Sequence, residues 1–299
     1  MNAKHAYLIM AHNQFNVLVK LLKLLDDSRN DIYVHIDIRA DNVPWSELKS
    51  AVKKSTLVFV SRNKVSWGGY NGIHCEMELL KAAFQGKYAY YHLLSGVDLP
   101  LKSQDEIHSF FDQNQGREFV HVERTDGSDV IWRMKWYYPF TDYYGRHAPL
   151  PLAVINRILL LCQKLLHINR LRSTPGLLLW KGANWFSITY DFASYVVANE
   201  KWIEHHFRYT RNCDEVFLQV LIANSDFKSK LYYTGNDNNY ISIMRKIDWY
   251  RGTPYVYRTQ DYDELMNSPF MFARKFDEET DDKIINMIFH TLDRHESKA

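Results

Sequence analysis

Four apolar runs in the N-terminal third of the chain, each followed by a segment of different periodicity, fix most of what it can fold into. The runs are His5–Met10, Asp31–Ile36, Leu57–Val60 and Ala89–Leu94. They have strand length and are rich in β-branched, aromatic and leucine side chains. Between them lie a helix with Val17, Leu18, Leu21, Leu22 and Leu25 at helical spacing, a helix over Trp45–Lys54 and another from about Gly72 to Phe84. Such alternation predicts βαβ units, an α/β fold and a mostly parallel central sheet flanked by helices. Ligands of these sheets bind beyond the carboxyl ends of the strands. The residues waiting there are His12, Asp37, the turn Ser66–Gly69 and Asp98. Each has a local alternative: His12 can cap or pack, and Asp98 can simply turn the chain before Pro100.

Beyond residue 117 the alternation fades. Strands are expected at Phe119–Val122 and Asn184–Thr189, and a helix at Tyr190–Asn199. The segment from Glu123 to Arg146 interleaves Trp, Tyr and cations, among them Trp132, Arg133, Lys135 and Trp136. Aromatic–basic surfaces suit single-stranded nucleic acid or a saccharide groove. A net charge of only +2 gives no field for nucleic acid, and with 15% aromatic residues the sugar is favoured. Leu152–Leu171 reads as an apolar, basic helix, either interfacial or core with one solvated face. With no repeat and no low-complexity linker, the chain reads as one domain, 1–299, with a nucleotide-binding half (1–117) and an acceptor and catalytic half (118–299). The three cysteines are far apart, and no leader or spanning segment stands out, which sets the expectation of a cytoplasmic protein.

The stretch Asn212–Ser225 reads as a helix capped by Asn212 or Asp214, with Glu215 on its first turn and Val216, Phe217, Val220 and Leu221 on its buried face. Two readings of the carboxylate pair stand. It complements the positive end of the helix dipole, or Glu215 is a rigidly mounted base. No Walker or dinucleotide loop, no Gly-x-Ser-x-Gly elbow and no zinc-spaced His/Cys cluster is present. A carboxylate that takes a hydroxyl proton, with cations to hold a departing diphosphate, is the minimum for glycosyl transfer.

The motifs, in order, are His5-Ala-Tyr-Leu-Ile-Met-Ala-His12, Asp31-Ile-Tyr-Val-His-Ile-Asp37, Val65-Ser-Trp-Gly68, Leu93-Leu-Ser-Gly-Val-Asp-Leu-Pro-Leu-Lys102, Gly182-Ala-Asn-Trp-Phe-Ser-Ile-Thr189, Asp214-Glu215 and Phe272-Ala-Arg-Lys-Phe-Asp277. In this order and spacing they resemble the core-2/I-branching β-1,6-N-acetylglucosaminyltransferases, a family that also holds the peptide O-xylosyltransferases. The resemblance implies a GT-A-type nucleotide-sugar fold, an inverting mechanism, a UDP-sugar donor and no divalent metal or other cofactor. It places the catalytic base on Glu215 and the diphosphate-binding cations on Lys275 and Arg258. Nucleotide contacts fall near His12, Asp37 and Asp98, and acceptor contacts on Glu123, Arg133, Lys135 and Trp249. The acceptor is a glycan or lipid-linked saccharide, with peripheral membrane contact through 152–172. The disulfides and N-terminal anchor of the animal enzymes are missing from this pattern, which points to a bacterial member. An Asp-x-Asp string at Asp261–Asp263 sits at a helix start and reads as a cap. Non-catalytic carbohydrate binding and xylosyl transfer are the rival readings.

Overall fold

A computed structural model describes residues 4–123, 128–145, 148–235 and 240–296. Its strands are β1 (His5–Ala11), β2 (Asn30–Ile36), β3 (Thr56–Phe59), β4 (Tyr90–Ser95), β5 (Leu99–Pro100), β6 (Phe119–Val120), β7 (Phe186–Thr189), β8 (Arg245–Ile247) and β9 (Phe272–Arg274). The main sheet runs β3-β2-β1-β4-β7-β6. The first four strands are parallel, and β7 and β6 add antiparallel pairings. This is the mixed, mostly parallel α/β sheet that the alternation predicts.

Side chains of successive strand residues point to opposite faces, and here each face has its own core. Ala6 and Leu8 of β1, with Tyr91 and Leu93 of β4, enter one core together with the Tyr70–Phe84 helix. Tyr7 and Ile9, with Tyr90 and Leu94, enter the other, which the Phe15–Leu25 helix and the C-terminal helix Glu278–Glu296 cover. The strands are buried on both sides, which is why they read as unbroken apolar runs.

A second sheet, β5-β9-β8, is built from strands of two or three residues. Arg245 joins it to the first. Its fully buried guanidinium donates to the carbonyls of Leu93 (2.9 Å), Phe186 (2.8 Å) and Ile243 (2.8 Å). Burial draws its pKa down to about 10. The sheets thus carry chain from both sides of residue 117: β6 and β7 extend a sheet begun by β1–β4, and β5 pairs with β9.

Several boundaries differ from the sequence expectation. The 152–171 helix runs Leu150–Leu165, ends where His167 takes a positive φ, and is followed by a separate 3₁₀ turn at Arg170–Ser173. Asn212–Ser225 is not one helix. Cys213–Glu215 is a 3₁₀ turn, and the helix is Phe217–Ala223. Neither Asn212 nor Asp214 caps it through a side chain. The Gly182 N–H takes the Glu215 carbonyl at 2.9 Å, which draws that carbonyl away from the helical ladder.

Candidate active site

The carboxyl ends of β1, β2 and β4 open into one cleft, resolved as two cavities of about 440 and 310 Å³ that share Met10, His12 and Ser66–Trp67 in their walls. The larger carries Asp37 and Arg39, with Tyr143 and Tyr144 opposite. Asp37 is buried, and its oxygens accept from Arg39 Nε (2.9 Å), Arg39 Nη2 (2.7 Å) and the Val65 N–H (2.9 Å). Burial pushes its carboxyl up, but the Arg39 guanidinium and those N–H groups outweigh burial and hold it at about 2. Asp37 therefore fixes Arg39, whose half-exposed side chain is what the cavity sees.

The turn Ser66–Gly69 crosses from this cavity to the smaller one. Gly68 has φ +72°, and a Cβ there would lie 2.4 Å from Asn212 Oδ1. Glycine at this position lets Asn212 donate its N–H to the Gly68 carbonyl at 2.9 Å. The donor-side turn is thereby tied to the segment that carries Glu215.

Glu215 is half-exposed and accepts from Arg133 Nη1 at 2.6 Å. Arg133 also pairs with Asp129 (2.9 Å), Asp129 with Lys181 (3.1 Å), and Lys181 with Glu123 (3.1 Å). Glu123 and Arg133 thus join Glu215 in one chain of ion pairs. Lys135 does not: its ammonium lies 5.1 Å from the Trp136 ring centre, and it lines neither cavity. Residues 124–127 of the expected acceptor segment lie outside the described residues.

Asp214 and Glu76 line the smaller cavity. Burial and the neighbouring Glu215 charge push Asp214 up to about 7. Glu76, on the Tyr70–Phe84 helix, is raised well above the carboxylate range by burial and by Asp214.

The end of β9 lines the same cavity. Arg274 and Lys275 both line the smaller cavity. Arg274 stacks 4.0 Å from the Trp185 ring centre and pairs with Asp98 at 3.5 Å. Burial raises the Asp98 carboxyl, and Arg274 opposes that rise. Asp98 is itself off the cleft wall, held by the Ser95 N–H at 2.9 Å, and meets the site through Arg274. Arg258 is exposed and absent from both walls; its N–H is taken by Asp261 at 2.8 Å, which makes Asp261 the local cap expected of it. Trp249 is half-exposed and also absent from both walls. Among the described residues, no three His, Cys, Asp or Glu side chains converge to hold a metal.

The structure thus brings His12, Asp37 and Lys275 to the walls of one cleft. Glu215 lines neither cavity but follows Asp214, which does, and is joined by ion pairs to Arg133 and through Asp129 and Lys181 to Glu123, while among the described residues Arg258, Trp249 and Lys135 have no such link. Sequence reasoning passed over Arg39, Glu76 and Arg274. Arg39 had a signal: it follows Asp37 by two residues at a strand end.

The Core-2/I-branching enzyme family model matches residues 5–266. Rat xylosyltransferase 2 is 23% identical over 95% of this chain, which covers 33% of that protein. Human xylosyltransferase 2 is 22% identical over the same share of each. The chain therefore spans about a third of the length of these relatives. Mouse beta-1,3-galactosyl-O-glycosyl-glycoprotein beta-1,6-N-acetylglucosaminyltransferase 4 is 20% identical over 98% of this chain and 66% of its own. A solved structure of mouse xyloside xylosyltransferase 1 aligns over 91% of this chain and 97% of that one, at 7% identity and a TM-score of 0.35. With a match over most of its length, the chain belongs to the Core-2/I-branching enzyme family.

Proposed function

We propose that the protein is an inverting glycosyltransferase that moves a sugar from a UDP-sugar to a hydroxyl of a glycan or lipid-linked acceptor. One observation carries the reading: the cavity that Arg274 and Lys275 line also has Asp214 in its wall, and Glu215 is the next residue of that turn. In this reading Glu215 takes the proton of the acceptor hydroxyl. The oxygen attacks the anomeric carbon from the side opposite UDP, and the bond to the diphosphate breaks as the new one forms. Inversion needs one base and no covalent intermediate. Negative charge grows on the departing diphosphate, and fixed cations there stabilise it most, because they need no reorganisation. Lys275 is one such cation. Arg274, which shares its wall, replaces the exposed Arg258 as the second. The nucleoside lies in the larger cavity, against Arg39 and the Tyr143–Tyr144 wall.

N-acetylglucosamine is the first donor sugar of this reading. Xylose is the second, favoured by the names of the xylosyltransferase relatives. The reaction needs no divalent metal in this scheme. The membrane contact of the acceptor side runs through 152–172.

A panel of UDP-sugars tests the whole, scored by UDP release and by thermal stabilisation, since a ligand of the native state raises stability as RT ln(1 + [L]/Kd). UDP-N-acetylglucosamine or UDP-xylose is expected to stand out, to turn over in excess EDTA, and to lose most turnover in Lys275→Ala with the fold intact. Loss of activity in EDTA, restored by manganese, assigns leaving-group stabilisation to a metal instead.

A further inference from the structure

The helix Leu150–Leu165 is built inside out. Its buried residue is Gln163. The Gln163 amide accepts the Tyr137 N–H at 2.7 Å and donates to the Tyr137 carbonyl at 3.0 Å. Nearer the other end, Asn156 donates to Tyr144 Oη at 2.9 Å, which fastens the helix to the wall of the donor cleft. The apolar side chains face away. Leu150, Val154, Ile158, Leu161 and Leu165 are each between 49% and 79% exposed. Spaced by three and four residues, they form one stripe along the outer face. A contiguous apolar surface of this kind is rare on a protein that meets only water.

The chemistry around the stripe is one-sided. From Ala148 to Tyr190 the sequence has no Asp or Glu, and it carries Arg157, Lys164, Arg170, Arg172 and Lys181. Past the C-terminal end of the helix lies a cavity of about 470 Å³ whose wall includes Arg170, Arg172, His205, His206, Tyr137 and Tyr209, and no carboxylate. Arg170 is fixed there, stacked 4.9 Å from the Tyr137 ring centre and donating to the His206 carbonyl at 2.6 Å. Arg172 and His205 are exposed. Tyr137 belongs both to this wall and to the bond with Gln163, so stripe and cavity are rigidly joined.

We propose that this face docks on an anionic phospholipid bilayer, with the helix lying flat in the interface and the adjoining cavity taking the phosphate of one lipid headgroup. The proposal deepens the acceptor side of the proposed function, and rests on it for the membrane contact. The helix carries the mixture of exposed leucine and isoleucine with flanking cations that suits the headgroup boundary rather than a span. Among the described residues, no helix is long and apolar enough to cross a membrane. A second copy of the chain fits this face less well. A two-fold contact through the stripe would bring Arg157, Lys164 and Arg172 of one copy toward those of the other, and residues 148–190 carry no carboxylate to offset them.

Co-sedimentation of the full chain with two vesicle types tests this: phosphatidylcholine alone, and equal parts phosphatidylcholine and phosphatidylglycerol. The wild type is expected to pellet with the mixed vesicles at low salt, to come off at high salt, and to stay in solution with phosphatidylcholine alone. Leu161→Glu/Leu165→Glu is expected to abolish binding. Arg172→Ala/His205→Ala is expected to weaken binding to mixed vesicles about tenfold or more. UDP binding, measured on the same samples, is expected to be unchanged in both variants; its loss in the wild type sinks the donor site and leaves the docking result standing. No wild-type binding to mixed vesicles overturns the docking surface. Wild-type affinity in Arg172→Ala/His205→Ala overturns the headgroup cavity. A lipid-free dimer that Leu161→Glu/Leu165→Glu dissolves overturns the bilayer in favour of a second copy.

Discussion

At the scale of single residues, the proposed reaction turns on one carboxylate whose surroundings are mostly charged. Glu215→Gln keeps shape and hydrogen-bonding reach but cannot take a proton. Turnover is expected to fall about a hundredfold or more with UDP affinity nearly intact. Equal turnover leaves only the dipole reading. The carboxyls behind it give the protein a pH signature. Burial raises Asp214 to about 7, with the Glu215 charge adding to it. Burial also raises Glu118 to about 7, against its bonds from Thr189 at 2.9 and 2.6 Å. Both groups hold protons more tightly folded than unfolded. Their stabilisation is therefore fully present below the ordinary carboxylate range and is lost as pH rises through about 7. Between pH 5 and pH 8 these two groups pull the melting temperature down, while the buried histidines His5, His92 and His108, whose pKa burial lowers, pull it up. Asp214→Asn/Glu118→Gln is therefore expected to shift the slope of melting temperature against pH upward relative to the wild type. A slope unchanged in that variant assigns it to other groups.

At the scale of elements, the position of Glu215 depends on a glycine in another segment. A Cβ on Gly182 would lie 1.9 Å from the His121 carbonyl oxygen, and Gly182 donates to the Glu215 carbonyl. In Gly182→Ala, backbone has to move at both places. Loss of a few kcal/mol of stability is expected in urea unfolding. A fall in turnover, measured where the variant is still folded, is expected to accompany it. The same elements show what was legible in the sequence. β1, β2, β3 and β4 were readable to within a residue or so: β1, β2 and β4 are buried on both faces and leave continuous apolar runs, and the half-exposed edge strand β3 keeps the β-branched and aromatic side chains of a strand. The helix Gln104–Gln113 was also written there, as Ser103 and Glu106 in a capping box, but went unread. The 3₁₀ turn at Glu215 was not legible, because the bond that draws its carbonyl aside comes from Gly182. Nor was the second sheet: strands of two and three residues have no periodicity to read, and only tertiary pairing makes them. Arg274 was overlooked because its neighbour Lys275 already filled the cationic role, and its pairing with Asp98 spans most of the chain.

At the scale of the molecule, the two halves read from the sequence are interleaved. β6 and β7 complete a sheet begun by β1–β4, β5 pairs with β9, and the Phe15–Leu25 helix shares a core with Ile284, Ile285 and Ile288. Neither half has a core of its own to fall back on. Unfolding in denaturant is expected to follow a single transition, coincident by far-UV circular dichroism and tryptophan fluorescence. Separate midpoints would show that 1–117 and 118–299 unfold independently.

The inside-out helix also puts a sulfur where it is useful. Cys162 is exposed on that helix, beside Leu161, while Cys75 and Cys213 are buried, and these are all the cysteines of the chain. Burial raises the thiols of Cys75 and Cys213 well above their ordinary value, which keeps them unreactive. The natural sequence is therefore already a single-thiol protein for conjugation chemistry. A polarity-sensitive dye attached at Cys162 would change colour according to what lies over the helix, and so report on the occupant of that face without any engineered substitution.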